Sequence, residues 1–226
     1  GKTVILPIDH GTVIPVPELN DTGELIEAVS PFVDGFVVNF GTARAFSDQL
    51  DGKGICFRTD VYKPSYQDNP DHGSYRAFTA DDALSVGAHA VMNMCYTHHQ
   101  SEDRIYRECA SLVSECIDSE LPVILESLPF GIGKPDDYNA ENISFAVRMA
   151  AELGADIIKT AFPHDADIND FKKIIDKQKL NYQSITPDLP NNISDAFKLI
   201  ENLVIDNKPR FIIGSSLGGF YSTYFA

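Results

Sequence analysis

Six short apolar runs, separated by helical stretches and loops, constrain this chain more than any other feature. They are TVILPID (3–9), GFVVNF (35–40), GICFRTD (54–60), AHAVMNMCY (88–96), PVILESL (122–128) and ADIIKTAF (155–162). None shows the strict alternation of a half-exposed strand, so each suits a parallel sheet buried on both faces. Helical patterns lie between them. ELIEAVSPF (24–32) has a spacing close to 3.6. Thr79 and Asp82 frame a capping box that opens a helix ending at Gly87. Residues 101–120 form an amphipathic pattern with Ile105, Cys109, Leu112, Val113 and Cys116 on one face. Residues 140–154 form another, which stops at Gly154. Strand alternating with helix predicts an α/β fold with right-handed crossovers, either a barrel or a doubly wound sheet. No GxGxxG follows the first strand, which weakens a dinucleotide-binding reading.

The length of 226 residues allows one large domain or two small ones. A closed (β/α)₈ barrel typically takes about 250 residues, so a barrel here is lean or incomplete. The net charge of −15 makes nucleic acid an unfavourable partner, since phosphate backbones need a basic footprint. A small anionic substrate stays compatible, because a local Lys or Arg overrides the global sign. No run approaches the ~18 apolar residues of a membrane helix. The first apolar run passes straight into Asp9-His10-Gly11, unlike a signal peptide. The chain starts at Gly1 inside a strand-like segment, and the expectation is that residues precede it. Cys56, Cys95, Cys109 and Cys116 form no CxxC pair, so reduced thiols and a cytoplasmic setting are expected.

Composition shifts towards the C-terminus. Residues 167–183 are polar and Lys-rich, 184–192 read as a Pro/Asn loop, 193–204 as a helix and 210–214 as a strand. That strand leads into Ser215-Ser216-Leu217-Gly218-Gly219.

Lys159 stands out among the polar residues because it sits inside Ile157-Ile158-Lys159-Thr160-Ala161. Lysine is seldom buried without a reason. At the C-terminal end of a barrel strand it would point into the site where such enzymes work. Desolvation would favour its neutral amine, which can attack a ketone and form a Schiff base. The plain alternative is a strand-end Lys reaching solvent. Asp9 ends the first strand, as a proton shuttle, a ligand for a substrate hydroxyl, or a turn cap. Glu126 lies within an apolar strand and must be paired or have a raised pKa. The raised value would suit a general acid, and the pairing could be with Lys159 itself. Arg58 and Asp60 end the third strand, as substrate contacts or as a barrel ion pair. Asn39 and Asn93 read as polar liners. His98-His99 is a weak metal signal, because tandem histidines point apart. Neither a metal nor an organic cofactor is expected.

PIDHG at strand one, PVILESLPFG at strand five and GADIIKTAF at strand six together resemble the DhnA-type class I (Schiff-base) aldolases. The resemblance covers about residues 1–178 and implies a (β/α)₈ TIM barrel. It implies Lys159 as Schiff-base nucleophile, with Asp9 and Glu126 as acid/base groups. His10, Asn39 and Arg58 become substrate-binding candidates for a sugar phosphate or related ketone, such as fructose-bisphosphate or tagatose-bisphosphate. Glu126 matches the position of a catalytic glutamate in the tagatose-bisphosphate and sulfosugar branches. A homo-oligomer is also implied.

Residues from about 180 to 226 instead resemble a fragment of a small bacterial α/β-hydrolase esterase. Gly214-Ser215-Ser216-Leu217-Gly218 satisfies GxSxG, with Ser216 as the alternative nucleophile, but no acid and base follow it. Residues 179–226 are therefore either a foreign fragment or the last two, atypical βα units of the barrel. In the second case Ser215, Gly218 and Gly219 would offer N–H groups to a phosphate. An inactive hybrid of two partial folds is the third reading.

Overall fold

Continuous apolar runs can bury both faces only if something covers each face, and here helices cover one and the strands' own interior the other. The computed structural model describes residues 4–12, 17–63, 73–130 and 138–167, together with Asp170 and Lys173. In chain order the elements are β1 (Ile5–Pro7), α1 (Thr22–Val29), β2 (Gly35–Val38), α2 (Phe40–Ala45), β3 (Gly54–Arg58), β4 (Asp60–Lys63), β5 (Gly73–Arg76) and α3 (Ala80–Ser85). Then follow β6 (Ala90–Thr97), α4 (Glu102–Asp118), β7 (Val123–Pro129), α5 (Ala140–Glu152) and β8 (Ile157–Lys159). The expected helix at 193–204 and strand at 210–214 lie outside the described residues.

β1, β2, β3, β6, β7 and β8 form one sheet in that spatial order, and every adjacent pair is parallel. Spatial order thus follows chain order without reversal. A doubly wound sheet needs a point where the order switches, so the two architectures left open by the sequence separate here in favour of the barrel pattern. Among the described residues β1 and β8 are the two ends of this six-stranded arc.

Two apolar layers flank the sheet. The larger joins strands to helices through Phe36, Val38, Phe57, Leu125 and Ile158 against Ile105, Leu112, Ile143 and Val147. The smaller is Val37, Cys56, Met92 and Ile124, packed with Ile5, Ala90 and Ile157. Each of the six strands contributes to it, which makes it the interior layer of the barrel wall. The buried face of α4 is the face its periodicity predicts: Ile105, Cys109, Leu112, Val113 and Cys116. The capping box of α3 also forms, with the Thr79 hydroxyl accepting from Asp82 N at 3.2 Å and Asp82 Oδ2 accepting from Thr79 N at 2.9 Å.

The third strand departs from expectation. It ends at Arg58 rather than continuing to Asp60. Thr59 N still donates to Met92 O at 2.9 Å, but Thr59 O accepts from both Ala77 N and Phe78 N. This turns the chain into the antiparallel hairpin β4–β5. α4 holds the hairpin: Arg76 pairs with Glu115 at 2.7 Å, Arg76 N donates to Glu108, and Arg104 donates to Ser74 O.

Candidate active site

Strand periodicity places the polar residues. Side chains alternate across a strand with period two. Cys56, Ile124 and Ile157 belong to the interior layer, so Arg58, Glu126 and Lys159, two residues further on, share that face one level towards the strands' C-terminal ends. Ile5 is likewise interior, which puts Asp9 on the same side of its strand. Asp60, the first residue of β4 beyond the turn at Thr59, comes back against Arg58. These five residues meet in one cluster.

The Arg58 guanidinium is its hub. Nε lies 3.0 Å from Asp9 Oδ2 and 3.6 Å from Asp60 Oδ1. Nη1 and Nη2 both donate to Glu126 Oε2 at 3.2 Å. The other Glu126 oxygen, Oε1, is 2.7 Å from Lys159 Nζ. Glu126 and Lys159 are direct register partners across β7 and β8. The arrangement is a relay of alternating charge, Asp9–Arg58–Glu126–Lys159, with Asp60 flanking Arg58. Asp60 also accepts from the Ser74 hydroxyl on the hairpin and from Met94 N at 3.2 Å. Asp9, Arg58 and Asp60 are buried, and the Lys159 and Glu126 side chains are only 15% and 12% exposed.

Burial and pairing act against each other on Glu126, Arg58 and Asp60. Burial would raise Glu126, but the charges of Lys159 and Arg58 and the hydrogen bonds from both outweigh it. Its carboxyl ends below the ordinary value. Of the two outcomes expected for a buried glutamate, the paired one holds. Burial works against the Arg58 charge, and Asp60, Asp9 and Glu126 more than offset it, so its pKa is raised. For Asp60 burial wins: its carboxyl is raised, and Arg58, Ser74 and Met94 N offset this only in part. Beneath them Cys56 is pushed up to about 12, by burial first and by the Asp9 charge second.

The remaining candidates fall in different places. Asn39 N-caps α2 by position, and its Nδ2 donates to Asp9 O at 2.9 Å. It therefore fixes the backbone that carries Asp9. His10 opens a one-turn 3₁₀ helix, His10–Thr12, and is exposed. Asn93 is not a liner of the interior. Its Oδ1 accepts from Thr59 at 2.8 Å and its Nδ2 donates to Met94 O and to Cys109 Sγ on α4. The correction follows from periodicity, since Met92 faces inwards and Asn93 must face the helices. His98 stacks on Phe145 at 5.3 Å, while His99 Nδ1 accepts from Ser101 N. The described residues hold no group of three or more metal-ligating side chains. Tyr96, which sequence reading overlooked, acts electrostatically on Arg58 and packs on Phe130 at 4.9 Å. Counting inwards from Met92 in steps of two would have found it. Ser215, Ser216, Gly218 and Gly219 lie outside the described residues.

A family model described as "DeoC/LacD family aldolase" matches residues 3–189. A second, "Uncharacterised protein family (UPF0227)", matches residues 160–226. That description names no esterase, and nothing among the matches supports the esterase resemblance expected there. The chain is 34% identical over 185 residues to "Fructose-bisphosphate aldolase class 1" of Halobacterium salinarum, covering 74% of this chain and 66% of that protein. It is 28% identical over 165 residues to "2-amino-3,7-dideoxy-D-threo-hept-6-ulosonate synthase 1" of Archaeoglobus fulgidus, covering 72% and 61%. The chain thus spans just under two thirds of the length of these curated relatives. In fold it resembles an archaeal fructose-1,6-bisphosphate aldolase solved with its catalytic Lys bound to the carbinolamine intermediate. The TM-score is 0.71 at 23% identity, over 95% of this chain and 86% of that one.

Proposed function

The chain belongs to the DeoC/LacD family of aldolases, and from that premise we propose that it is a class I aldolase working through a Schiff base on Lys159. The observation that carries this reading is the 2.7 Å contact between Lys159 Nζ and Glu126 Oε1, made inside the strand arc by register partners. A phosphorylated ketose or related ketone is the proposed substrate. Fructose bisphosphate, the sugar named for the Halobacterium relative, is the first candidate. The serine-esterase reading through Ser216 and the inactive-hybrid reading fit the cluster less well, since neither gives its five charged residues a task.

The proposed steps follow from the positions. Glu126, an ionised carboxylate beside Nζ, takes a proton from the lysine ammonium. The freed amine adds to the substrate carbonyl carbon as the carbonyl π bond opens onto oxygen, and one proton passes from the nitrogen to that oxygen to give a carbinolamine. The oxygen then takes the proton held by Glu126 and leaves as water, and the nitrogen lone pair closes the iminium. The bond between the carbon beside the iminium and the carbinol carbon beyond it then breaks. Its electron pair moves into the iminium to form an enamine, and the carbinol proton passes to a carboxylate as the aldehyde is released. Asp9 is the proposed acceptor of that proton. The iminium is the electron sink, so these steps call on no other cofactor. His10, Asn39, Ser215, Gly218 and Gly219 are the proposed substrate contacts. Self-association is a separate proposal, which light scattering tests.

Borohydride trapping tests the reading. After incubation with dihydroxyacetone phosphate and borohydride, a reduced adduct is expected on Lys159 by peptide mass mapping. Lys159→Met is expected to abolish both adduct and turnover. Folded protein that gives no Lys159 adduct with dihydroxyacetone phosphate, pyruvate or simple ketones would overturn it.

A further inference from the structure

We propose that Arg58, grouped at first with the substrate contacts, is instead the positioning residue of this site: it holds Glu126 Oε2 and Asp9 Oδ2 on one guanidinium, so that Glu126 presents only Oε1 to Lys159. The inference rests on the Schiff-base reading and goes beyond it by assigning a residue that does not touch the reacting atoms.

The geometry gives each Arg58 nitrogen a protein partner. Nε faces Asp9 and Asp60, while Nη1 and Nη2 share one oxygen of Glu126. A guanidinium so engaged and only 9% exposed is badly placed to bind a phosphate, which arginine prefers to hold with two parallel donors. What it does is divide the two oxygens of Glu126. Without Arg58 both would be open to Lys159, and a carboxylate gripping the ammonium with both oxygens holds it in its unreactive form. With Arg58 on Oε2, Lys159 meets one acceptor and keeps donors, and then its lone pair, directed elsewhere. The same guanidinium orders Asp9 from the opposite side, so the two carboxylates are set relative to one another by one rigid plane. A lysine at position 58 would supply charge but no fork.

Glu126 is also the group whose titration exposes this role. The described charged and titratable groups acting on it are Lys159 from β8, Arg58 and Cys56 from β3, and Asp60 from β4. Asp9, after β1, reaches it through Arg58, and Tyr96 on β6 acts on Arg58. Removing the Arg58 charge leaves burial less opposed, so Glu126 protonates at a higher pH and the base is lost sooner on acidification.

The experiment measures the rate of borohydride-trapped adduct formation on Lys159 against pH. It uses dihydroxyacetone phosphate and the full chain as wild type, Arg58→Gln and Arg58→Lys, with near-ultraviolet circular dichroism to establish folding. The acidic limb of the profile is expected to move up by ~1–3 pH units in Arg58→Gln, the effect of one neighbouring charge. In Arg58→Lys the limb is expected to stay, while trapping slows at every pH. A folded Arg58→Gln protein with an unmoved limb overturns the inference. If Arg58→Gln does not fold, Arg58→Lys decides: trapping as fast as wild type overturns it, and slower trapping with an unmoved limb supports it. An absent adduct in the wild type itself overturns the Schiff-base reading, and this inference with it. An adduct in the wild type with an unmoved limb in folded Arg58→Gln removes the inference alone.

Discussion

Glu126 serves two cations at once, so its charge is tied to both. Its folded pKa lies below the ordinary 4.5, with burial raising it and Lys159 and Arg58 lowering it more strongly. A carboxyl lowered on folding contributes stability in full above its unfolded pKa, and that contribution is lost as the pH falls through the lower folded value. Glu126→Gln removes one partner from a buried pair and leaves Lys159 facing a neutral amide. A loss of ~3–5 kcal/mol at neutral pH is expected, as for other broken buried pairs. In thermal melts the gap to wild type should narrow once the pH drops below 4.5; a gap independent of pH would rule out the charge as its source. Lys159 and Glu126 stood out in the sequence because each interrupts an apolar run, but the sequence left open whether Glu126 is paired or a raised acid, and the contacts with Lys159 and Arg58 decide it. Asn93 was misplaced because an apolar run conceals which parity faces inwards, and only the register with neighbouring strands reveals it.

Among the elements, the six sheet strands were visible as apolar runs, and four helices were visible from capping and periodicity. The hairpin β4–β5 was not. Its strands are four residues each, too short for a pattern, and Asp60 looked like the end of the preceding strand. α2 was missed for a similar reason, since FGTARA spans six residues and carries a glycine at its second position. Close strand packing also leaves a trace. Gly35 and Gly54 are register partners on β2 and β3, and a Cβ at Gly35 would lie 2.5 Å from Gly54 O. Backbone cannot yield as a flexible side chain does. Gly35→Ala should therefore force the two strands apart and cost ~1–3 kcal/mol, as overpacking does. Gly154, at φ +94° beyond α5, would bring a Cβ only to Val113 Cγ1, at 3.1 Å. Its replacement by Ala should cost roughly 1 kcal/mol through the left-handed backbone alone. Urea titrations of the two variants check the ranking, and a Gly35→Ala midpoint at or above that of Gly154→Ala would contradict it.

At the scale of the molecule, composition narrowed the class while topology settled the architecture. The alternation of runs and helices fits two folds, and only the unbroken order from β1 to β8 separates them, because pairing between distant segments leaves no mark on local pattern. The match to residues 3–189 overlaps the match to residues 160–226, in keeping with the shift in composition after residue 167. No described helix is long and apolar enough to cross a membrane. The four cysteines are all free and all buried, and Cys56 lies in the interior layer directly below the charged cluster, its thiol pushed up to about 12. Thiolates, not thiols, react with electrophiles, so Cys56 is silent towards maleimide while the strands stay closed. Each labelling event then records one excursion in which the barrel wall parts, which gives this protein a built-in clock for its own breathing. With a ketone trapped on Lys159 the clock should slow, because the adduct ties β8 into the site; an unchanged rate would mean that the wall opens without disturbing the lysine.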